Sequence, residues 1–505
     1  MPLPPRPATI LLIAVATLLR VGWGAALEPA TDEAYHWQFV LHPALSYFDH
    51  PPMTMLVEQA GLAACGGWVH PLSLRLGFIL LCAGSSWILF LWTSRISDER
   101  AGFWAAVAFT LTYYFTAYGG TFAMPDSPLL FFALLTWWQA GIALDDRETG
   151  GRRLRAWLVV GLGFGGAMLS KYHGILLPAG VLAYVLITPK RRRALATPGP
   201  YLAVLIGALM FSPVIVWNAQ HDWASFKFQG SRAASGDTPV LHGGPIVWLV
   251  GPIFLLFPWI WFWLAVELGR RLWRFPPAGP ERLCVVLAVV PLLFFFVSSC
   301  FNGMFFPHWP LLGFVPLYPL VGTRWAALRL QSPRLFRALA SVWIGGALFV
   351  LAAQLGQSRL GLFPVPPSDD ITKAYSGWNS VADELTQRGL LDDPDGFLFT
   401  NQWDHSGELA FAIRNRRPVT CYHSFDARGF AFWSKPEDYL GRTGLLVVID
   451  EKEELFTRRE YDPFFERMTV AAEFPMMRGS RPFLPVKVYR CENQRIPYPF
   501  DYRRK

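Results

Sequence analysis

Eleven stretches of this chain are apolar enough to be read as membrane spans. A hydrocarbon core of about 30 Å takes ~20 apolar residues of helix. Runs that meet this wholly or marginally centre on residues 8–27, 72–93, 101–118, 127–144, 156–170, 174–188, 201–217, 244–266, 283–300, 309–327 and 338–356. The expected architecture is an α-helical polytopic membrane protein with about eleven transmembrane helices. Composition agrees: 53% of the 505 residues are hydrophobic and only 16% are charged, against roughly 25% in soluble chains. The net charge of +8 does not point to nucleic acid, because the arginines sit in short clusters between apolar runs and form no basic reading surface. The first run ends in small residues that resemble a signal-peptide cleavage site. Arg20 interrupts it, however, and the rest of the chain is multi-spanning, so an uncleaved first helix is expected. The runs at 156–170 and 174–188 are short, and a re-entrant hairpin is the alternative reading there; either leaves the parity of crossings unchanged.

Arginine placement orients these spans. With the N-terminus inside, the inner connections hold clusters such as Arg152, Arg153 and Arg155, or Lys190 to Arg193, while the outer ones hold only Arg75, Lys171, Lys227 and Arg232. That asymmetry follows the positive-inside rule, and an odd number of spans leaves the tail outside. The tail is more polar, mixing β-like runs at 396–400 and 444–450 with a helical pattern at 380–390. The expected division is a transmembrane domain over 1–358 and an external α/β domain over 359–505. The six cysteines are scattered without metal-ligand spacing. Cys421 and Cys491 would share an oxidising compartment, which makes them a candidate disulfide pair.

The outer connections hold the unusual chemistry. Between Thr31 and Met53 the chain carries Asp32, Glu33 and Asp49 with His36, His42 and His50, among aromatic rings and the Pro51-Pro52 pair. The other outer connections, 119–127, 170–174, 217–230 and 301–310, each place ionisable groups among aromatics. Such groups are expensive at membrane depth and mark function by default, although aromatics alone also form interfacial belts. A transporter would place its charges near the midplane, whereas here they gather on one face. Carboxylates beside cations suit sugar transfer from a lipid phosphate. Arg75, Lys171 and His308 are candidates to face the phosphate, and Asp32, Glu33 or Asp126 to act as base toward an acceptor hydroxyl. One displacement inverts the anomeric centre, so one base suffices. Neither Asp49-His50 nor His36 with His42 has the helical spacing that aims two rings at one ion; no cofactor and no metal ion is expected.

These residues lie in motifs that resemble the bacterial branch of the glycosyltransferase-C superfamily, which includes protein O-mannosyltransferases and the aminoarabinose transferase of lipid A. The matching pieces, in order, are DEAYHW (32–37), YFDHPPM (47–53), LRLG (74–77), MPDSP (124–128), LSKYHG (169–174), PVIVWNAQHDWASFKFQ (213–229) and PHWP (307–310), with NQWDHSGELAFAI (401–413) and FWSKPEDYLG (432–441) in the tail. The resemblance implies a polyprenyl-phosphate-linked sugar donor and a lipid or glycan acceptor in a bacterial inner membrane, with the active site and tail periplasmic. It implies Asp32 as base with Glu33 in support, and Asp126 as a second acidic site. It implies Tyr35, His50, Arg75, Lys171 and His308 as donor-binding residues. Arg75 could equally pair with Glu33, and Arg20 is placed to neutralise the acidic cluster. Tyr35-His36, where relatives carry two tyrosines, and the FFPHWP approach are departures that leave the sugar open. A protein Ser or Thr acceptor and a lipid transporter are the competing functions.

Overall fold

The computed structural model describes residues 3–233, 243–301, 305–450 and 454–500. Contacts divide the chain into two compact units. One comprises Met1–Gly22, His50–Val57 and Leu76–Phe349; the other comprises Trp23–Asp49, Glu58–Arg75 and Val350–Lys505. Most of the first external connection, placed by hydropathy with the membrane part, therefore packs with the tail.

The first unit is helical. Among the described residues, six helices are long and apolar enough to cross a membrane, namely Pro5–Ala26, Pro71–Ile96, Pro198–Gln220, Pro280–Phe301, Trp309–Gln331 and Pro333–Leu360. Two bent pairs raise the number to eight: Tyr172–Ile187 with Pro189–Ala196, bent by 119°, and Gly244–Leu255 with Pro258–Trp273, bent by 118°. The second bend falls at Phe257, which has φ 64° and precedes Pro258. The three remaining expected runs lie on Glu99–Thr110, Asp126–Ala143 and Gly150–Ser170. The first of these stops at Leu111 before a single turn, Tyr113–Thr116, and the other two open on charged residues. The segment at 156–170 is one continuous helix rather than half of a hairpin.

Glycines place the Gly150–Ser170 helix. A Cβ at Gly163 would lie 2.4 Å from Thr136 Oγ1, and one at Gly161 would lie 2.9 Å from the Ala203 carbonyl. The helix therefore packs backbone-close against both Asp126–Ala143 and Pro198–Gln220, as small residues allow in lipid. Its end delivers Lys171 to the start of the Asp126 helix.

The second unit contains a five-stranded sheet of β1 (Phe397–Thr400), β2 (Val419–Cys421), β3 (Gly444–Ile449), β4 (Phe465–Arg478) and β5 (Arg481–Gln494), in the order β2-β1-β3-β5-β4. β1 runs parallel to β2 and β3, while β5 pairs antiparallel with β3 and β4. Its core gathers Val381 and Leu385 of the Trp378–Gln387 helix, Leu409 of the Trp403–Ala412 helix, and Leu398, Val447 and Val488 of the strands. β1, β3 and the Trp378–Gln387 helix match the expected runs. Cys421 and Cys491 do not pair: both are buried free thiols, on β2 and β5. Three strand spacings, about 14 Å, separate those strands, twice the ~7 Å that a disulfide spans.

Candidate functional site

The Thr31–Leu41 helix opens with Asp32 and Glu33 in its first turn. Glu33 Oε2 accepts the Ala30 N–H at 2.9 Å, so the third-position carboxylate caps its own helix. Its oxygens also receive Arg75 Nε at 2.8 Å and Nη2 at 2.6 Å. Arg75 Nη1 donates to the carbonyls of Gly24 and Leu27, and Nη2 to that of Glu28. Both side chains are fully buried. A guanidinium has five N–H donors, and these five bonds occupy all of them. Arg75 is thus a structural clamp on Glu33 and has no donor left for a lipid phosphate. Glu33 is likewise held by the fold, as a cap of its own helix and as the partner of Arg75.

Asp32, its neighbour, is half-buried, and its carboxylate makes no hydrogen bond or ion pair among the described residues. It lies within electrostatic reach of Glu408 and Arg428. Burial, with Asp404, Glu28 and Asp32 nearby, pushes the Glu408 carboxyl well up. Burial and then Glu33 do the same to Glu58.

Tyr35 is also structural. It is fully buried; its hydroxyl donates to Asp49 Oδ1 at 3.1 Å and accepts the Gly429 N–H at 3.0 Å. Arg428 donates to Asp49 Oδ2 at 3.2 Å and stacks 3.7 Å above the Trp403 ring. Trp403, Phe430 and Trp433 of the tail surround Tyr35, and a Cβ at Gly407 would come within 2.8 Å of the Tyr35 backbone. The aromatic richness of the first loop is therefore a packing surface for the tail motifs, with Tyr35 at its centre.

The other candidates gather in the first unit. Lys171 Nζ lies 3.0 Å from both oxygens of Asp126, and both residues are largely buried. His308 and His173 are within electrostatic reach of Asp126, and His50 is within reach of His173. The His308 ring stacks 6.1 Å from Tyr114 at 13°, and His173 packs edge-on to Phe295. Tyr114, Asp126, His173 and His308 line a cavity of ≈10 Å³, room for about one water. His173 and Tyr114 were not anticipated. His173 stands two residues after Lys171 in SKYHG, a signal within the motif; Tyr114 sits in an apolar run that gave none. The connection at 301–310 falls partly outside the described residues, at 302–304. Arg20 is nearly buried and donates to Thr116 Oγ1 at 3.3 Å. No group of three or more His, Cys, Asp or Glu among the described residues has an arrangement that could hold a metal ion. Chemically, Lys171 and the imidazoles around one carboxylate can hold an anion, while the Asp32 carboxylate makes no hydrogen bond or ion pair among the described residues and stays available to take a proton.

Residues 49–217 match the dolichyl-phosphate-mannose-protein mannosyltransferase family. The chain is 26% identical over 440 residues to the lipid A galacturonosyltransferase RgtD of Rhizobium johnstonii, a match that covers 82% of this chain and 85% of that protein. Among solved structures it resembles ArnT from Cupriavidus metallidurans bound to undecaprenyl phosphate, with a TM-score of 0.65 at 16% identity over 95% of this chain and 97% of that one. It also resembles the archaeal oligosaccharyltransferase AglB from Archaeoglobus fulgidus in complex with an inhibitory peptide and a dolichol-phosphate, with a TM-score of 0.53 at 12% identity over 81% of this chain and 64% of that one.

Proposed function

We propose that this chain, a multi-pass membrane glycosyltransferase of the C fold, transfers a sugar from a polyprenyl-phosphate donor to lipid A or a related envelope glycolipid at the outer face of a bacterial inner membrane. One observation carries the reading: Lys171, His173 and His308 gather around the single carboxylate of Asp126, which sets an ammonium and two imidazoles at one place where an anionic donor head can meet N–H groups. The undecaprenyl phosphate in the similar ArnT structure and the lipid A substrate named for RgtD support the same donor and acceptor classes. The likeness to RgtD favours an acidic sugar, a uronic acid. Orientation rests on the arginine asymmetry, with the three shorter helices counted as spans.

In this mechanism Asp32 takes the proton of the acceptor hydroxyl as that oxygen attacks the anomeric carbon. The bond from the anomeric carbon to the phosphate oxygen breaks, and polyprenyl phosphate leaves with its charge held by Lys171 and the histidines. The anomeric centre inverts in the single displacement. Asp126 positions Lys171, and Glu33 with Arg75 fixes the helix that presents Asp32.

The test is transfer by purified protein in nanodiscs, with undecaprenyl-phosphate galacturonic acid as donor and either lipid A or a Ser/Thr peptide as acceptor, read by mass spectrometry. Lipid A should gain one uronic acid, and Asp32→Asn should lose about 10²- to 10⁴-fold in rate. Gain on the peptide alone would favour the protein acceptor that the matched family's name describes. An unchanged rate in folded Asp32→Asn would remove Asp32 as the base.

A further inference from the structure

The second unit holds a cavity of ≈190 Å³ lined by residues that include Glu28, His70, Arg359, Asn379 and Arg414. It is smaller than the roughly 300–1,000 Å³ of sites for drug-sized molecules, and matches one sugar ring or one charged group. Arg414 follows the Trp403–Ala412 helix with φ 53°, and Asn415 follows with φ 50°. This left-handed turn ends the helix, with the Asn415 N–H on the Ala410 carbonyl at 2.8 Å, and it fixes where Arg414 leaves the helix. The Arg414 guanidinium is exposed and makes no hydrogen bond or ion pair among the described residues. Arg359 uses one N–H on the Ala26 carbonyl at 2.7 Å, which leaves it several donors.

The remaining lining suits a sugar. His70 Nδ1 accepts the Leu72 N–H at 3.1 Å, which makes Nε2 the donor of the neutral ring. Glu28 already accepts the backbone N–H groups of Trp378 and Asn379, so its charge is partly balanced by that helix start. Trp68 stacks on His70, with centroids 4.0 Å apart and planes at 11°, and it stays 52% exposed. Gly66 and Gly67, at φ 66° and 78°, make the turn that presents it. An exposed indole stacked on His70, which lines the cavity with Arg359 and Arg414, offers a flat apolar surface for the C–H face of a sugar, and the arginines offer cations for an acidic substituent.

We propose that this cavity, with Trp68 at its side, is an acceptor subsite for an acidic sugar, either phosphorylated or uronic. The assignment rests on the transferase reading for its role, but binding is measurable without any transfer. Saturation-transfer NMR on the full chain in zwitterionic nanodiscs, without donor, would use glucosamine 1-phosphate, galacturonic acid and uncharged N-acetylglucosamine as probes. One or both acidic sugars should bind more tightly than the neutral one, and which of them does separates phosphate from carboxylate. Arg414→Gln should weaken that binding about ten- to a hundredfold, the range for one charge-assisted contact, and Trp68→Ala should weaken it and abolish saturation of the ring protons. Binding of the acidic sugars that is equal in wild type, Arg414→Gln and Trp68→Ala overturns the proposal, with Trp68 then a membrane-interface residue; so does no binding at all. Binding as expected without any transfer refutes the reaction and leaves the subsite standing. Transfer with an acceptor KM unmoved in both variants refutes the subsite and leaves the reaction standing.

Discussion

Replacing Arg75 with methionine should destabilise the second unit before it touches the chemistry. The substitution keeps much of the apolar stem but strips five hydrogen bonds, two to Glu33 and three to the carbonyls of Gly24, Leu27 and Glu28. It leaves a fully buried carboxylate that keeps the Ala30 N–H but loses its cation. Breaking a buried pair from one side costs about 3–5 kcal/mol. In a unit of about 200 residues, each kcal/mol moves Tm by roughly 2–4 °C, so a fall of about 6–20 °C is expected. Glu33→Gln in the same chain should recover part of it, because the uncompensated charge goes. A coupling of ~0.5–3 kcal/mol between the two sites is expected in a double-mutant cycle. Thermal melts in detergent, followed by intrinsic fluorescence, read all four proteins. The reasoning is refuted if Arg75→Met melts within about 2 °C of wild type while donor KM rises about tenfold; that outcome would return Arg75 to the lipid phosphate.

Lys171→Met should reduce donor binding, read as a rise in donor KM of about ten- to a hundredfold, whereas Lys171→Arg should restore part of it. Gly407→Ala adds a Cβ within 2.8 Å of the Tyr35 backbone; the two helices must separate, and a loss of about 1–3 kcal/mol should appear as a lower Tm with reduced kcat. The Glu408 carboxyl is pushed up in the fold, so the fold holds its proton more tightly than the unfolded chain does. Stability from this group is therefore complete below the unfolded value near 4.3 and falls as pH rises toward the folded value. Glu408→Gln should accordingly raise Tm at pH 7.5 by a few degrees and leave it unchanged at about pH 4; an equal shift at both would show that the effect is packing.

Much of this was legible because hydropathy and motif order are local signals. The apolar runs fell on helices, and Asp126, Lys171 and His308 gather although they stand at least 45 positions apart in sequence. What stayed hidden depends on partners far along the chain. Glu33 and Arg75 stood out because charge in an apolar chain is costly, and their pairing was one of two readings open for Arg75; the three backbone carbonyls that complete the clamp show only in the fold. Tyr35 was hidden in the same way, since its hydroxyl bonds Gly429, almost four hundred residues on. The long β4–β5 hairpin escaped notice because Pro475, Pro482 and Pro485 and several charges break its alternation; the pairing tolerates them through register shifts near Val470 and Met476. The span count differed where helices mix apolar with polar residues, since hydropathy reports greasiness and not whether a helix faces lipid or protein.

Finally, Cys421 and Cys491 sit as reduced thiols inside a sheet that the proposed orientation exposes to an oxidising compartment. Burial raises the Cys421 thiol well above its usual range and pushes Cys491 up to about 12, so neither offers the thiolate that oxidants attack. While the sheet is closed they are chemically silent. Once it opens, they become ordinary thiols free to meet each other or those of a neighbour, and any bridge formed then blocks reclosure across the strands β1 and β3. The sheet thus behaves as a one-way latch: each full opening risks becoming permanent. The useful lifetime of this unit is set by how rarely it opens, a rate and not an equilibrium.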